Sequence, residues 1–217
     1  MGEIVFVLGK SGTGKTTSLR NFEEGEVGVF SVAEKALPFK KYLPTIDGDD
    51  YGLIERTLKR NALKCYVVDD AGYLMQFENL DKADQGGYDK FTKMAVHFSH
   101  LVRTAKRETT RDTVVYFLMH PAIDEDDGHY KPKTIGKLLD EKLCLEGLVD
   151  EVLVTEVDSQ GRYWFITNAE HGAKTPLDMF EDQRVPNDLK AVDEVIRGYR
   201  SEQWTRAAEA DKKKGAE

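Results

Sequence analysis

Short, almost unbroken apolar runs alternate along this chain with longer stretches in which apolar residues return every three or four positions. Glu3 to Leu8 (EIVFVL), Val27 to Val32 (VGVFSV), Cys65 to Val68 (CYVV), Thr113 to Met119 (TVVYFLM) and Glu151 to Val157 (EVLVTEV) are of the first kind. A strand that is apolar on successive residues has to be covered on both faces, as in a buried parallel sheet. Tyr51 to Leu63 and Tyr88 to Glu108 are of the second kind, and the latter is the clearer. Its Phe91, Met94, Ala95, Phe98, Leu101, Val102 and Ala105 fall on one face of a helix. Strand and helix in alternation require crossover connections. The expected fold is therefore α/β, a mostly parallel sheet with helices on both faces.

Beyond the fifth strand, Asp158-Ser159-Gln160-Gly161 reads as a hairpin turn into Arg162 to Thr167 (RYWFIT), which would add an antiparallel edge. Pro186 and Asn187 then open a last helix with Leu189, Val192, Ile196 and Tyr199 on one face. From Ser201 the apolar content collapses and the chain runs out through Lys212-Lys213-Lys214-Gly215, the pattern of a frayed, charged tail. No repeat at solenoid spacing is visible.

Composition narrows the class. The 217 residues are 40% hydrophobic and 32% charged, enough for one well-buried core and too few for two ordinary domains. No apolar run approaches the roughly 18 residues of a membrane-spanning helix. The opening Met-Gly-Glu-Ile-Val-Phe lacks a basic segment, and Phe6 stands where a myristoylation signal has Ser or Thr. Cys65 and Cys144 are too few for a disulfide scaffold or a zinc cluster, so a cytoplasmic protein is expected. Lys and Arg number 31 against 39 Asp and Glu, giving a net charge of −8. Bulk electrostatics therefore repel nucleic acid and anionic lipid, and contact with DNA would need a local basic patch.

The chemistry is concentrated after the first strand. Gly9-Lys10-Ser11-Gly12-Thr13-Gly14-Lys15-Thr16, with Thr17 following, has the form G-x-x-x-x-G-K-[ST] and lies between an apolar strand and an expected helix starting near Lys15. Glycines at these positions let backbone N–H groups turn inward around a β-phosphate while the helix aims its positive end there. Lys15 is placed to reach the β- and γ-phosphates of ATP, and the Thr16 hydroxyl to ligate Mg²⁺. A magnesium site also needs a carboxylate at the end of a buried strand, and CYVV-Asp69-Asp70 supplies one. Asp69 would hold the cation through water; Asp70 would serve the cation or orient the attacking water.

Other candidates are less specific. Glu34, one step past Ala33, could reach the γ-phosphate if its strand neighbours the first, or else simply begins a solvated segment beside Lys35. His120 stands at the carboxyl end of its strand, where a polar group can sense a γ-phosphate, although a lone histidine there is commonly structural. Ala122 to Lys137 is too polar for the core and is expected to be a mobile loop, acidic at Asp124-Glu125-Asp126-Asp127 and basic at Lys131, Lys133 and Lys137. With Tyr130 beside it, the basic half could meet a phosphate backbone and stack a base. Arg103, Lys106, Arg107 and Arg111 form a second basic cluster. Lys174 follows the edge hairpin, exposed or reaching a neighbouring subunit's site.

These residues together, GKSGTGKT, Glu34, CYVVDD, Met119-His120 and the late Gly-Ala-Lys-Thr-Pro, resemble the phage-encoded ATP-binding proteins of the RecA superfamily, including Sak-type single-strand annealing proteins. The resemblance implies a RecA-like P-loop ATPase domain over residues 1–200, followed by a flexible charged tail over 201–217. It implies that Glu34 activates water, that His120 is a sensor and that the loop after it contacts single-stranded DNA. It also implies a homo-oligomeric ring or filament in which Lys174 completes the neighbour's site. The acidic balance and the DEDD stretch depart from an ordinary DNA-binding recombinase. A small-molecule or nucleotide kinase is the competing class, with no arginine in its candidate lid; an accessory ATPase acting on a protein partner is the third. No Asn-Lys-x-Asp sequence is present to read guanine.

Overall fold

The computed structural model describes residues 1–84, 87, 89–135 and 143–214, with side chains through 209. Its centre is an eight-stranded sheet. The strands are β1 (Glu3–Leu8), β2 (Gly28–Ser31), β3 (Thr45–Asp47), β4 (Cys65–Asp69) and β5 (Val114–Met119), then, past the small pair β6 (Pro121–Ile123) and β7 (Tyr130–Pro132), β8 (Glu151–Val157), β9 (Tyr163–Ile166) and β10 (Arg184–Pro186). Their order is β10-β9-β8-β1-β5-β4-β2-β3. Pairing is parallel from β8 through β3, while β9 and β10 join by antiparallel pairing. The α/β architecture expected from the alternation is present, with its antiparallel edge.

The unbroken apolar runs are explained by helices on both faces. One side of the sheet presents Phe6, Leu8, Val68, Phe117 and Met119 to Ile54 and Leu58 of α1 (Tyr51–Lys59), Leu74 and Met75 of α2 (Gly72–Asp81), and Ala95, Phe98 and Leu101 of α3 (Asp89–Glu108). The alternate residues Val5, Val7, Val67, Tyr116 and Leu118 face Leu19, Phe22 and then Leu189, Val192 and Ile196 of α4 (Leu189–Lys214). Phe117 is held edge-on by Phe6 and Phe98, with ring centroids 5.9 and 6.2 Å away. No helix among the described residues is long and apolar enough to cross a membrane.

Several elements differ from the sequence expectation. The segment after the glycine loop is a six-residue 3-10 turn, Thr16–Asn21, rather than an extended helix. α1 stops at Lys59, short of Leu63, because Asn61 turns the backbone to φ +49°. The region expected as a mobile loop after His120 contains the antiparallel pair β6–β7, registered from Pro121↔Pro132 to Ile123↔Tyr130, and its last two residues, Gly136 and Lys137, lie outside the described residues. Tyr88, the expected first residue of α3, also lies outside them. In place of a frayed tail from Ser201, α4 is helical through Lys214. Trp204 explains part of this continuation, since the Arg111 guanidinium packs over its ring at 4.7 Å.

Candidate active site

β1 delivers the glycine loop to the carboxyl edge of the sheet. Gly9 N–H donates to Met119 O at 3.2 Å, extending the β1–β5 ladder one step into the loop. Gly9 has to be glycine, since a Cβ there would lie 1.8 Å from Thr155 Oγ1. Gly12 and Gly14 take φ values of +79° and +96°, which residues with a side chain rarely adopt. The Thr13 hydroxyl bonds Lys10 O at 2.8 Å and lies 2.5 Å from Thr155 Oγ1, pinning the loop to β8.

Lys15 folds back across the loop, and its Nζ donates to Gly9 O at 2.8 Å and Lys10 O at 3.1 Å. It is 6% exposed. Burial lowers its pKa, against the opposing pull of Asp70 and Asp69. The adjoining turn is too short to carry a substantial dipole, so backbone amides and this ammonium provide the positive character expected of a helix end.

β4 brings the acids. Asp69, its last residue, accepts the Thr16 hydroxyl on both oxygens, at 3.0 and 2.9 Å, so the two halves of the expected cation site meet directly. Burial, aided by the charge of Asp70, pushes the Asp69 carboxyl up to about 6, while Thr16 and Lys15 pull it back. Asp70 sits at φ +57°, a turn that aspartate tolerates better than most residues. Its Oδ2 is 2.6 Å from Lys35 Nζ and its Oδ1 is 3.5 Å from His120 Nε2.

His120 reaches this position because β5 lies between β1 and β4 in the sheet. Partial burial and then the nearby Lys15 charge make it less basic than an ordinary histidine, with Asp70 acting the other way. Tyr73 packs edge-on against it, 6.2 Å between ring centroids.

A cleft of about 340 Å³ connects the loop, Asp69, Asp70, His120 and Lys35, with Tyr163 at its rim. No arginine is among its described lining residues. The donor set at its floor, a hydroxyl and a carboxylate within 3.0 Å of one another, is all oxygen and fits a small hard cation such as Mg²⁺.

Other candidates lie elsewhere. β2 does not neighbour β1; β5 and β4 stand between them. Glu34 is exposed at φ +52° and is not among the residues lining the cleft; it lines an adjoining hollow with Lys40 and Lys41 that shares Lys35 and Ala36 with the cleft. Lys174 bridges Val152 by backbone hydrogen bonds, and its Nζ donates to Val149 O at 2.8 Å, toward the amino end of β8 and away from the loop. Tyr130 packs against His171 at 5.0 Å between centroids, and Lys131 pairs with Asp124 at 3.6 Å. Of the second basic cluster, Lys106 is turned inward to Leu148 O and Asp150, whereas Arg103 and Arg107 are exposed.

Sequence reasoning passed over Lys35, Thr155, Tyr163 and Asn187. Thr155 and Tyr163 touch the loop only through the β8–β9 hairpin. Asn187 is 1% exposed, lies against Gly14, and neither amide atom has a hydrogen-bond partner among the described residues. Only Lys35 carried a local signal, a cation just past a strand's carboxyl end.

No protein-family model matches the sequence, and a search of curated proteins finds no relative.

Proposed function

We propose that the chain is an ATP-binding, Mg²⁺-dependent nucleoside triphosphatase with a RecA-like P-loop core. The observation that carries this reading is the Thr16–Asp69 contact. It joins the glycine loop to a strand-end acid that is distant in sequence, in a cleft that Lys15 and Lys35 also line. In this reading Gly9 to Thr17 wrap the triphosphate and Lys15 leaves its two loop carbonyls for the β- and γ-phosphate oxygens. Thr16 and Asp69 hold the cation, which when bound supplies charge neutralisation on the phosphates.

In this reading Asp70 orients the attacking water, because it lines the cleft and Glu34 is not among the cleft's lining residues. The water oxygen bonds to the γ-phosphorus as the bond to the bridging oxygen breaks, ADP leaves with that electron pair, and Asp70 takes the water's proton. His120, 3.5 Å from Asp70, links this event to the β6–β7 hairpin that begins one residue later.

The physiological setting we propose is DNA recombination or single-strand annealing, as the resemblance to phage RecA-superfamily proteins implies, with the chain acting as a homo-oligomer. The lack of an arginine among the described cleft residues weighs against a kinase, which clamps the transferred phosphoryl group with lid arginines.

The test is calorimetric titration of a non-hydrolysable ATP analogue with Mg²⁺, followed by hydrolysis with and without single-stranded DNA at two salt concentrations. Binding to the wild type, its loss in Lys15→Ala with unchanged circular dichroism, and DNA stimulation that fades with salt are the expected outcomes. Retained hydrolysis in Lys15→Ala would place the active site elsewhere; hydrolysis indifferent to DNA would remove the recombination setting.

A further inference from the structure

Among the described residues lining the cleft, Lys35 is the one exposed cation. Lys15 is buried and tied to two carbonyls, and His120 is made less basic by its surroundings. Lys35 instead has a side chain 61% exposed, is anchored by a single 2.6 Å contact to Asp70 Oδ2, and passes over the Tyr73 ring at 5.3 Å. Its partner is the opposite case: the Asp70 side chain is 9% exposed and its other oxygen faces His120. Thus a flexible lysine caps a buried acid at the mouth of the cleft that holds the glycine loop.

We infer that Lys35 is the γ-phosphate cation of this site, supplied by the same chain, and that an arriving triphosphate takes it from Asp70 and so uncovers that carboxylate. The inference rests on the nucleotide reading above. A γ-phosphate carries more negative charge than one carboxylate and offers several acceptor oxygens, so it outcompetes Asp70 for a shared lysine. A diphosphate does not extend as far and leaves the Lys35–Asp70 pair closed. The exchange requires only side-chain rotation, which the exposure of Lys35 and the turn at Glu34 permit. It makes Asp70 available only when the cleft contains something to hydrolyse. It also gives a role to the residue beside Glu34, and it removes the need for a neighbour's Lys174 in charge neutralisation.

Calorimetry with Mg²⁺ separates the possibilities, using a non-hydrolysable ATP analogue and ADP on the wild type, Lys35→Met, Lys35→Arg and Asp70→Asn. Expected is a loss of about tenfold or more in analogue affinity for Lys35→Met with ADP affinity kept within about twofold, and substantial recovery in Lys35→Arg. Asp70→Asn releases the lysine, so analogue affinity should hold or improve while hydrolysis falls. Equal losses for both nucleotides in Lys35→Met, or no loss for either, would overturn the inference and leave the nucleotide reading standing. A wild type that binds neither nucleotide would overturn that reading, and the inference with it. A thermal scan checks that the Lys35 variants remain folded at the titration temperature.

Discussion

Asp69 is where a single residue governs the behaviour of the site. Its carboxyl is raised to about 6 in the fold, against 3.8 unfolded, mainly by burial. The folded state therefore holds the proton more tightly, and the stability associated with it is full below about pH 4 and lost as pH rises through about 6. The gap corresponds to roughly 3 kcal/mol at most. Asp69→Asn should raise the melting temperature at pH 7 while changing it little at pH 4, a difference that melting curves across this range measure directly. Mg²⁺ added at pH 7 should stabilise the wild type and not the variant; equal responses would detach the cation from Asp69. The acid itself was legible because it closes an apolar strand. Its neighbour's dependence on Lys35 was not, since the φ of +52° that turns Glu34 away is a tertiary outcome with no local composition to announce it.

At the scale of elements, the loop's geometry is set by what lies under it. Gly9 leaves no room for a Cβ because Thr155 of β8 occupies that space. Gly9→Ala should cost about 1–3 kcal/mol through overpacking, and Thr155→Ala in the same chain should recover part of it. Urea melts of the two single variants and the double test this, and strict additivity would contradict it. The strands β1, β4, β5 and β8 and the helix α3 could be read from sequence because long apolar runs and a regular stripe overdetermine them. β3, β6, β7 and β10 are three residues each, too short to show an alternation, so pairing partners define them, not composition. α2 opens at Gly72 directly after a turn, and its Tyr73, Leu74 and Met75 are consecutive, so no stripe marks it. The glycine loop, in contrast, was complete in the sequence, down to the two positions that need positive φ.

Across the whole molecule, α4 ties the two ends of the sheet together. It begins beside the loop, where Asp188 Oδ1 accepts Lys190 N–H at 3.1 Å and Arg20 bonds Asn187 O at 2.5 Å. Further along, at the amino end of the strands, Arg200 lies 2.9 Å from Glu3 of β1 and 2.6 Å from the fully buried Glu151 of β8. Burial raises both carboxyls; Glu3 raises Glu151 further, whereas the hydrogen bond with Glu151 lowers Glu3, and Arg200 opposes the rise in each. Glu151, raised to about 9, is already protonated at neutral pH, so Arg200→Met should destabilise the protein there by about 3 kcal/mol through the Glu3 carboxylate that loses its partner. The loss should shrink on acidification, because carboxyls with raised pKa take up protons and no longer need the guanidinium. Denaturant titrations at two pH values check this, and a pH-independent loss would mean that packing, not charge, holds the helix there.

β5 has one more consequence. It runs beside β1 in six parallel register pairs, Glu3↔Val114 to Leu8↔Met119, and continues through His120 into the β6–β7 hairpin. Handles at residue 1 and at the hairpin tip would pull these adjacent strands in opposite directions along their length. Every rung between them would bear the load together, whereas β10 at the rim can unzip rung by rung. The stiffest axis of the protein thus runs beside the cleft that contains the glycine loop, and a tug on the hairpin is felt there before any edge gives way.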